Sequence, residues 1–176
     1  MKSSNVKRFV VCMIVLFSLL LFVSCTKYVK VTASQKFDKR KSQIAIMQFA
    51  NAGYKSGYDS YISDKLTQAL MQKNFIIVER QGIQNIFSEL KLEQSGSLSK
   101  SDFNKIGKLS NVNIICFGSA YYQIARGGIW PYTIMVRFID ISSGNVVFMA
   151  ECTNEKDWDG SYCVRKISEE LSQLGQ

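Results

Sequence analysis

The chain has 176 residues, a formal charge of +8 and no histidine, which excludes Ser–His and Cys–His nucleophile pairs and imidazole metal sites. Its length suits one domain with a real hydrophobic core once a terminal segment is set aside. Lys2, Lys7 and Arg8 fall in that segment, so the charge of the remainder drops to +5, a mild and scattered excess that gives no nucleic-acid footprint.

In chain order, basic residues up to Arg8, the apolar run Phe9 to Val23 and then Ser24-Cys25 supply the positive, apolar and small-residue parts of a secretory signal. The apolar run covers roughly 23 Å as a helix, short of the ~30 Å hydrocarbon core, so a permanent transmembrane helix is the weaker reading. Val23-Ser24-Cys25 resembles the bacterial lipobox, whose thiol receives diacylglycerol before cleavage, with Phe22 where Leu is usual. Cys25 is therefore the expected lipidation site and mature N-terminus, an ordinary cleaved signal or a retained anchor being the alternatives. Two or more acyl chains would hold the protein on a membrane. Thr26 in place of Asp after the cysteine favours the outer membrane by the enterobacterial sorting pattern. Residues 1–24 are thus the expected signal peptide and residues 25–43 a polar tether without periodicity, whose basic residues Lys36, Lys39, Arg40 and Lys41 read as a solvated linker, with contact to anionic lipid or cell-wall polymer as the alternative.

The folded domain is expected over residues 44–176. Ile44 to Phe49 reads as a strand buried on both faces, ended by Ala-Asn-Ala-Gly. Ile62, Leu66, Ala69 and Leu70 give an amphipathic helix closing near Lys73-Asn74. A second strand follows over Phe75 to Val78, and a second helix on Ile83, Ile86, Phe87 and Leu90. Ser99 and Asp102 then cap a third helix through Phe103 and Ile106. Ile114 to Ile124, Tyr132 to Ile141 and Val146 to Cys152 read as three strands joined by short turns at Gly127-Gly128 and Ser142-Ser143-Gly144-Asn145, so they are antiparallel neighbours. A last helix runs from about Ser161 to Leu174. The expected fold is α/β, a mixed five-stranded sheet packed with helices in the order β-α-β-α-α-β-β-β-α.

Candidate sites are few. Gly53, Gly57, Gly127 and Gly128 form no phosphate-binding pattern and read as turn glycines. Asp157 and Asp159, on either side of Trp158, could be posed as an acid/base pair, but capping and solvated-turn roles account for them. Cys152 and Cys163 flank a polar stretch and can pair in an oxidising compartment; three buried or free thiols, with Cys116, is the other reading. Tyr121, Tyr122, Trp130 and Tyr132 cluster around the Gly-Gly hairpin, where they serve either cross-strand packing or an interaction surface for a protein, a glycan or a membrane interface. No catalytic residue, metal or cofactor is expected.

Phe75-Ile-Ile-Val-Glu-Arg-Gln-Gly-Ile-Gln-Asn-Ile-Phe-Ser-Glu-Leu-Lys-Leu resembles the curli secretion lipoprotein family (CsgG-like), whose signature is an apolar strand, Glu-Arg, and a helix bearing Leu or Ile and Gln-Asn. Glu79, Arg80, Gln81 and Gly82 carry that motif here. Ile44-Ala-Ile-Met-Gln-Phe, Gln94-Ser-Gly, Asn113-Ile-Ile-Cys-Phe-Gly-Ser and Val136-Arg-Phe-Ile-Asp-Ile-Ser-Ser-Gly-Asn-Val follow in the family's order, so the resemblance covers about residues 44 to 150. It implies a CsgG-like domain, of the kind also seen at the N-terminus of TolB, on the periplasmic face of the outer membrane. Lipid anchoring, other envelope proteins as partners, a homo-oligomeric ring and a role in curli-type assembly or secretion are further implications. In the secretion channel each subunit adds two long β-hairpins to a shared barrel. Such a hairpin needs about 9 to 11 residues per strand, and neither Ser119 to Tyr132 nor the chain after Cys152 readily supplies one. Lipoprotein activators of penicillin-binding proteins share the size and architecture and give the alternative function, a binding module for another envelope protein.

Overall fold

The computed structural model describes residues 29–33, 41–52, 59–90, 92, 98–125, 128–154 and 158–174. Seven strands form one mixed sheet: β1 (Val29–Ala33), β2 (Gln43–Ile46), β3 (Ala50–Ala52), β4 (Ile76–Val78), β5 (Ile114–Ala125), β6 (Gly128–Asp140) and β7 (Val146–Thr153). Across the sheet the order is β1-β7-β6-β5-β2-β4, with β3 pairing beside β5. β2 is parallel to β4 and β5, while β5, β6 and β7 are successively antiparallel, as their short connections require, and β1 pairs antiparallel with β7 from the far end of the sequence. Four helices complete the described fold: α1 (Asp59–Met71), α2 (Arg80–Glu89), α3 (Lys100–Leu109) and α4 (Ser161–Leu174).

The apolar spacing decides which face each element covers. Ile62, Leu66 and Leu70 of α1 and Val164, Ile167 and Leu171 of α4 pack against Ile44, Ile46, Val136, Phe138 and Phe148 on one side of the sheet. Ile83 and Phe87 of α2 and Phe103 and Ile106 of α3 pack on the other side against Ala45, Met47, Ile115, Phe117 and Ile139. β2 is thus covered from both sides, which is why its sequence is a continuous apolar run. Local signals terminate the helices where the sequence placed them. Asn74 adopts φ 63° after α1, a left-handed conformation that Asn tolerates. Ser99 and Asp102 form a reciprocal capping box at the start of α3.

Two strands go beyond the expected five, and both correct the sequence reading. The tether expected over 25–43 contains β1, in which Val29 and Val31 pack on the core while Lys30 and Thr32 lie on the other face. Its period-two pattern is only five residues long and sits among basic residues, so the alternation is weak in sequence. Pairing with β7 and packing beside α4 stabilise it. β3 falls on the Ala-Asn-Ala expected to end the first strand; it pairs with Ser119 to Tyr121 of β5 through the backbone ladder, which carries no side-chain signature.

The helices α2 and α3 leave much of their side of the sheet open. There Ser119, Tyr121, Met135, Arg137 and Met149 border a hollow of about 290 Å³. Next to it the strand must be bare at Gly118, since a Cβ there would run into the ring of the buried Phe49.

Candidate interaction surface

The Glu79–Arg80 motif turns out to be a corner brace. Glu79 is the N-cap of α2, and its carboxylate accepts from the Gly82 backbone N–H at 3.1 Å, satisfying a donor that the helix start leaves open. Arg80 reaches back across the fold: its Nε donates to the Ile46 carbonyl at 2.9 Å, and its Nη2 donates to Asp64 Oδ1 of α1 at 2.8 Å. One guanidinium therefore ties the end of β2 to α1 and α2, using the rigid fork that lysine lacks. Gln81 donates to Asn85 along the helix surface, and a Cβ at Gly82 would meet open space. A groove of about 510 Å³ lies beside this corner, but the motif's charged groups are already engaged, Glu79 with the backbone and Arg80 with the backbone and Asp64.

The other predicted group behaves differently. β5 and β6 slip register between Tyr121 and Tyr122, so that Tyr121 faces Thr133, Tyr122 faces Pro131, and Tyr132 is the extra residue of a bulge. Fully buried Asn154 pins that bulge: its backbone N–H donates to the Tyr132 carbonyl at 2.6 Å and its side-chain amide to the Pro131 carbonyl at 3.0 Å. The four aromatics consequently split. Tyr122 packs on the core, whereas Tyr121 and Tyr132 are exposed. Trp130 stacks on Trp158 from the β7–α4 connection, with centroids 4.5 Å apart. Its indole N–H is enclosed with no acceptor among the described residues.

Beyond the bulge, Ile124 of β5 faces Ile129 of β6. Ile124 is 64% exposed, Trp158 is 51% exposed, and Ile129 is also open to solvent. Sequence reasoning missed both isoleucines and the part played by Trp158. Alternation around a turn shows which residues share a face, but not that the hairpin outruns the helices that would cover it. The available signal was the pair of isoleucines on either side of the Gly127-Gly128 turn.

Cys152 and Cys163 are joined by a disulfide that links β7 to the first turn of α4, with Cα atoms 5.4 Å apart, which selects the paired reading over free thiols. Cys116 remains a buried free thiol, and burial pushes its pKa well above the usual thiol range. Between the bonded cysteines, Asp159 accepts from Lys65 Nζ at 2.7 Å and from the backbone N–H and hydroxyl of Ser161. Partial burial pushes its pKa up, but Lys65 and the Ser161 donors outweigh that and bring it down to about 2. Asp159 is thus a cap and an ion-pair partner; Asp157, its proposed companion, lies outside the described residues, as do Cys25, Gly53, Gly57 and Gly127. At Gly160 the chain takes φ +73° against Ile62, Pro131 and Ile134, a turn that favours glycine. Among the described residues no group of three or more acidic or Cys ligands could hold a metal ion.

Comparison with known proteins places this geometry. The sequence matches the family of the curli production assembly/transport component CsgG over residues 24–127, more than half of the chain; the match begins further toward the N-terminus than the motifs indicated and ends before the Val136–Val146 segment, against an expected span of about 44 to 150. No curated protein matches. Among solved structures, two crystal forms of the PelC dodecamer from Paraburkholderia phytofirmans share the fold. One has 15% identity over 84% of this chain and 96% of that chain at TM-score 0.54; the other has 14% over 84% and 97% at 0.52. The C-terminal domain of LpoB from Salmonella enterica is similar at 13% identity over 69% of this chain and 88% of that chain, with TM-score 0.50. With the Glu79–Arg80 brace, the parallel β2–β4 unit and the β5–β6–β7 meander all in place, this chain belongs to the CsgG family.

Proposed function

We propose that this protein is a non-enzymatic lipoprotein of the cell envelope, anchored through Cys25 on the periplasmic face of the outer membrane. There it acts by protein–protein contact in curli-type assembly or secretion, or in envelope assembly more generally. The observation that carries this reading is the family match, whose span includes Cys25. A homo-oligomeric ring is the expected working form, supported by the dodecameric state of the structurally similar PelC. The hairpin of β5 and β6 continues along β5 only from Tyr121 to Ala125 past the core residue Ala120, fewer than the about 9 to 11 residues that a tilted strand needs to cross a bilayer. That length, among the described residues, supports a reading in which the domain works without barrel hairpins of its own.

Native mass measurement of the detergent-extracted full chain tests the assembly. Masses at a fixed multiple of the acylated protomer are expected. A strict monomer would overturn the ring and favour the rival reading, a binding or activating module for another envelope protein of the penicillin-binding-protein-activator kind. Cys25→Ala tests the anchor: it is expected to lose acyl mass and to leave the membrane fraction, and membrane retention without acyl mass would sink the anchor.

A further inference from the structure

We propose that the Cys152–Cys163 bridge is an oxidation-dependent clasp: closing it fixes the β7–α4 connection, and with it the bulge at Tyr132 and the stack of Trp158 on Trp130. The chain thus acquires this exposed aromatic surface only after a thiol oxidant has acted. The oxidation step rests on the envelope placement above, since a cytoplasm keeps thiols reduced.

What the connection touches carries the inference. Fully buried Asn154 donates to the carbonyls of Tyr132 and Pro131, so the bulge in β6 is held from outside β6. Trp158 lies on Trp130, Asp159 reaches α1 through Lys65, and Gly160 turns with φ +73° beside Ile62, Pro131 and Ile134. None of these contacts is strong by itself. The ion pair has a half-exposed carboxylate, Trp158 is half exposed, and a single hydrogen bond contributes little net. Ordering each residue of the connection costs more than one such contact contributes. The bridge makes up the difference. It ties Cys152 to Cys163 in the first turn of α4, both enclosed in the core, and so removes most of the freedom that an open connection has to lose.

Position selects the pair. Cys152 stands opposite Ile134 in the β6–β7 ladder, whereas Cys116 stands opposite Phe138 in the β5–β6 ladder, roughly 13 Å further along β6 at strand geometry. Cys116 is therefore out of bonding range of Cys152. In the closing step one thiolate of the pair attacks the disulfide of a protein thiol oxidant, and the second thiolate then displaces the oxidant from the mixed disulfide. The oxidant leaves as a dithiol that has taken up both electrons and both protons. Linkage makes the effect reciprocal: the contacts of the connection resist opening of the bridge by the same factor by which the bridge favours those contacts.

The chain contains two tryptophans, and they are the two that stack, so the exciton couplet of the indole pair in circular dichroism reports on the connection directly. The test uses the full chain extracted from membranes in detergent. Oxidised protein is expected to show the couplet. Protein refolded from urea under dithiothreitol, and the double variant Cys152→Ala/Cys163→Ala, are expected to regain the helix and strand signal while losing most of the couplet. Asn154→Ala, which leaves both cysteines in place, is expected to make the bridge about tenfold easier to reduce in a glutathione buffer. A couplet of wild-type strength in either folded, unbridged protein overturns the proposal. Failure of both to regain secondary structure also overturns it, because the bridge then supports the whole domain and is no local clasp. So does an Asn154→Ala bridge that opens at the wild-type glutathione ratio. Free thiols at both positions in freshly extracted, membrane-bound protein overturn the oxidation step and leave the envelope placement standing. Recovery of the chain from the cytoplasmic fraction overturns the placement, and the oxidation step with it.

Discussion

The Glu79–Arg80 corner and the β5–β6 hairpin tip are both unusual in sequence, yet they use their side chains in opposite ways. At the corner, Glu79 caps α2 and Arg80 joins β2 to α1, so its charged groups are spent inside the domain. At the tip, Ile124, Ile129 and Trp158 leave apolar surface outside it. The motif that identifies the family therefore explains the fold, while the surface available for contact lies in a segment with no motif. A residue pattern shared through a family can mark a structural joint as readily as a working site.

Stability measurements should separate the two regions. The largest effect is expected at the base of the tip. Cys163→Ser opens a bridge between residues 11 apart and should cost about 2–4 kcal/mol, read as a lower urea midpoint that a reductant reproduces in the wild type. Arg80→Ala comes next, at about 1.5–3 kcal/mol, because a partly buried carbonyl and a carboxylate lose a charged donor; Arg80→Lys should recover only part of it. Loss of the α2 cap in Glu79→Ala should cost about 1 kcal/mol. If either corner variant instead kept wild-type stability and lost assembly, the corner would be a working site and the contrast would fail.

A smaller effect is expected from pH. Asp159 is held from its ordinary 3.8 down to about 2, so its ion pair stabilises the fold above about pH 4, and that contribution disappears as pH falls through about 2. Its carboxylate is 45% exposed, which keeps the contribution modest. The wild type should lose more stability than Asp159→Asn in an acid titration between those values. The smallest effect belongs to Ile124→Ser, which should change stability by less than about 0.5 kcal/mol. A large loss there would mean that the tip is packed rather than presented.

Much of the fold was legible because its signals are local or periodic. The apolar runs of β2 and β4, the helical spacing of Ile62, Leu66 and Leu70, the Ser99–Asp102 cap and the short turn between β6 and β7 each act within a few residues, and each produced the expected element, whereas β6 begins at Gly128, four residues before the expected Tyr132. β1 and β3 escaped because their stability comes from partners distant in sequence: β7 for one, β5 for the other. The Cys152–Cys163 pairing stayed open for the same reason, since a separation of 11 residues in sequence allows many distances and only the packing of α4 against β7 brings the two Cα atoms within bonding range.

By itself the sequence determined the class of fold, the family, the expected lipid site at Cys25 and the absence of histidine chemistry, because these depend on composition, short-range order and residue identity. Tertiary structure alone decided that Arg80 is a brace, that the four hairpin aromatics divide between core, stack and solvent, and that Val29 enters at the end where Ile124 and Trp158 are exposed. Burial and direction are properties of what stands beside a residue in space, and a register shift of one residue is enough to send a side chain to the other face.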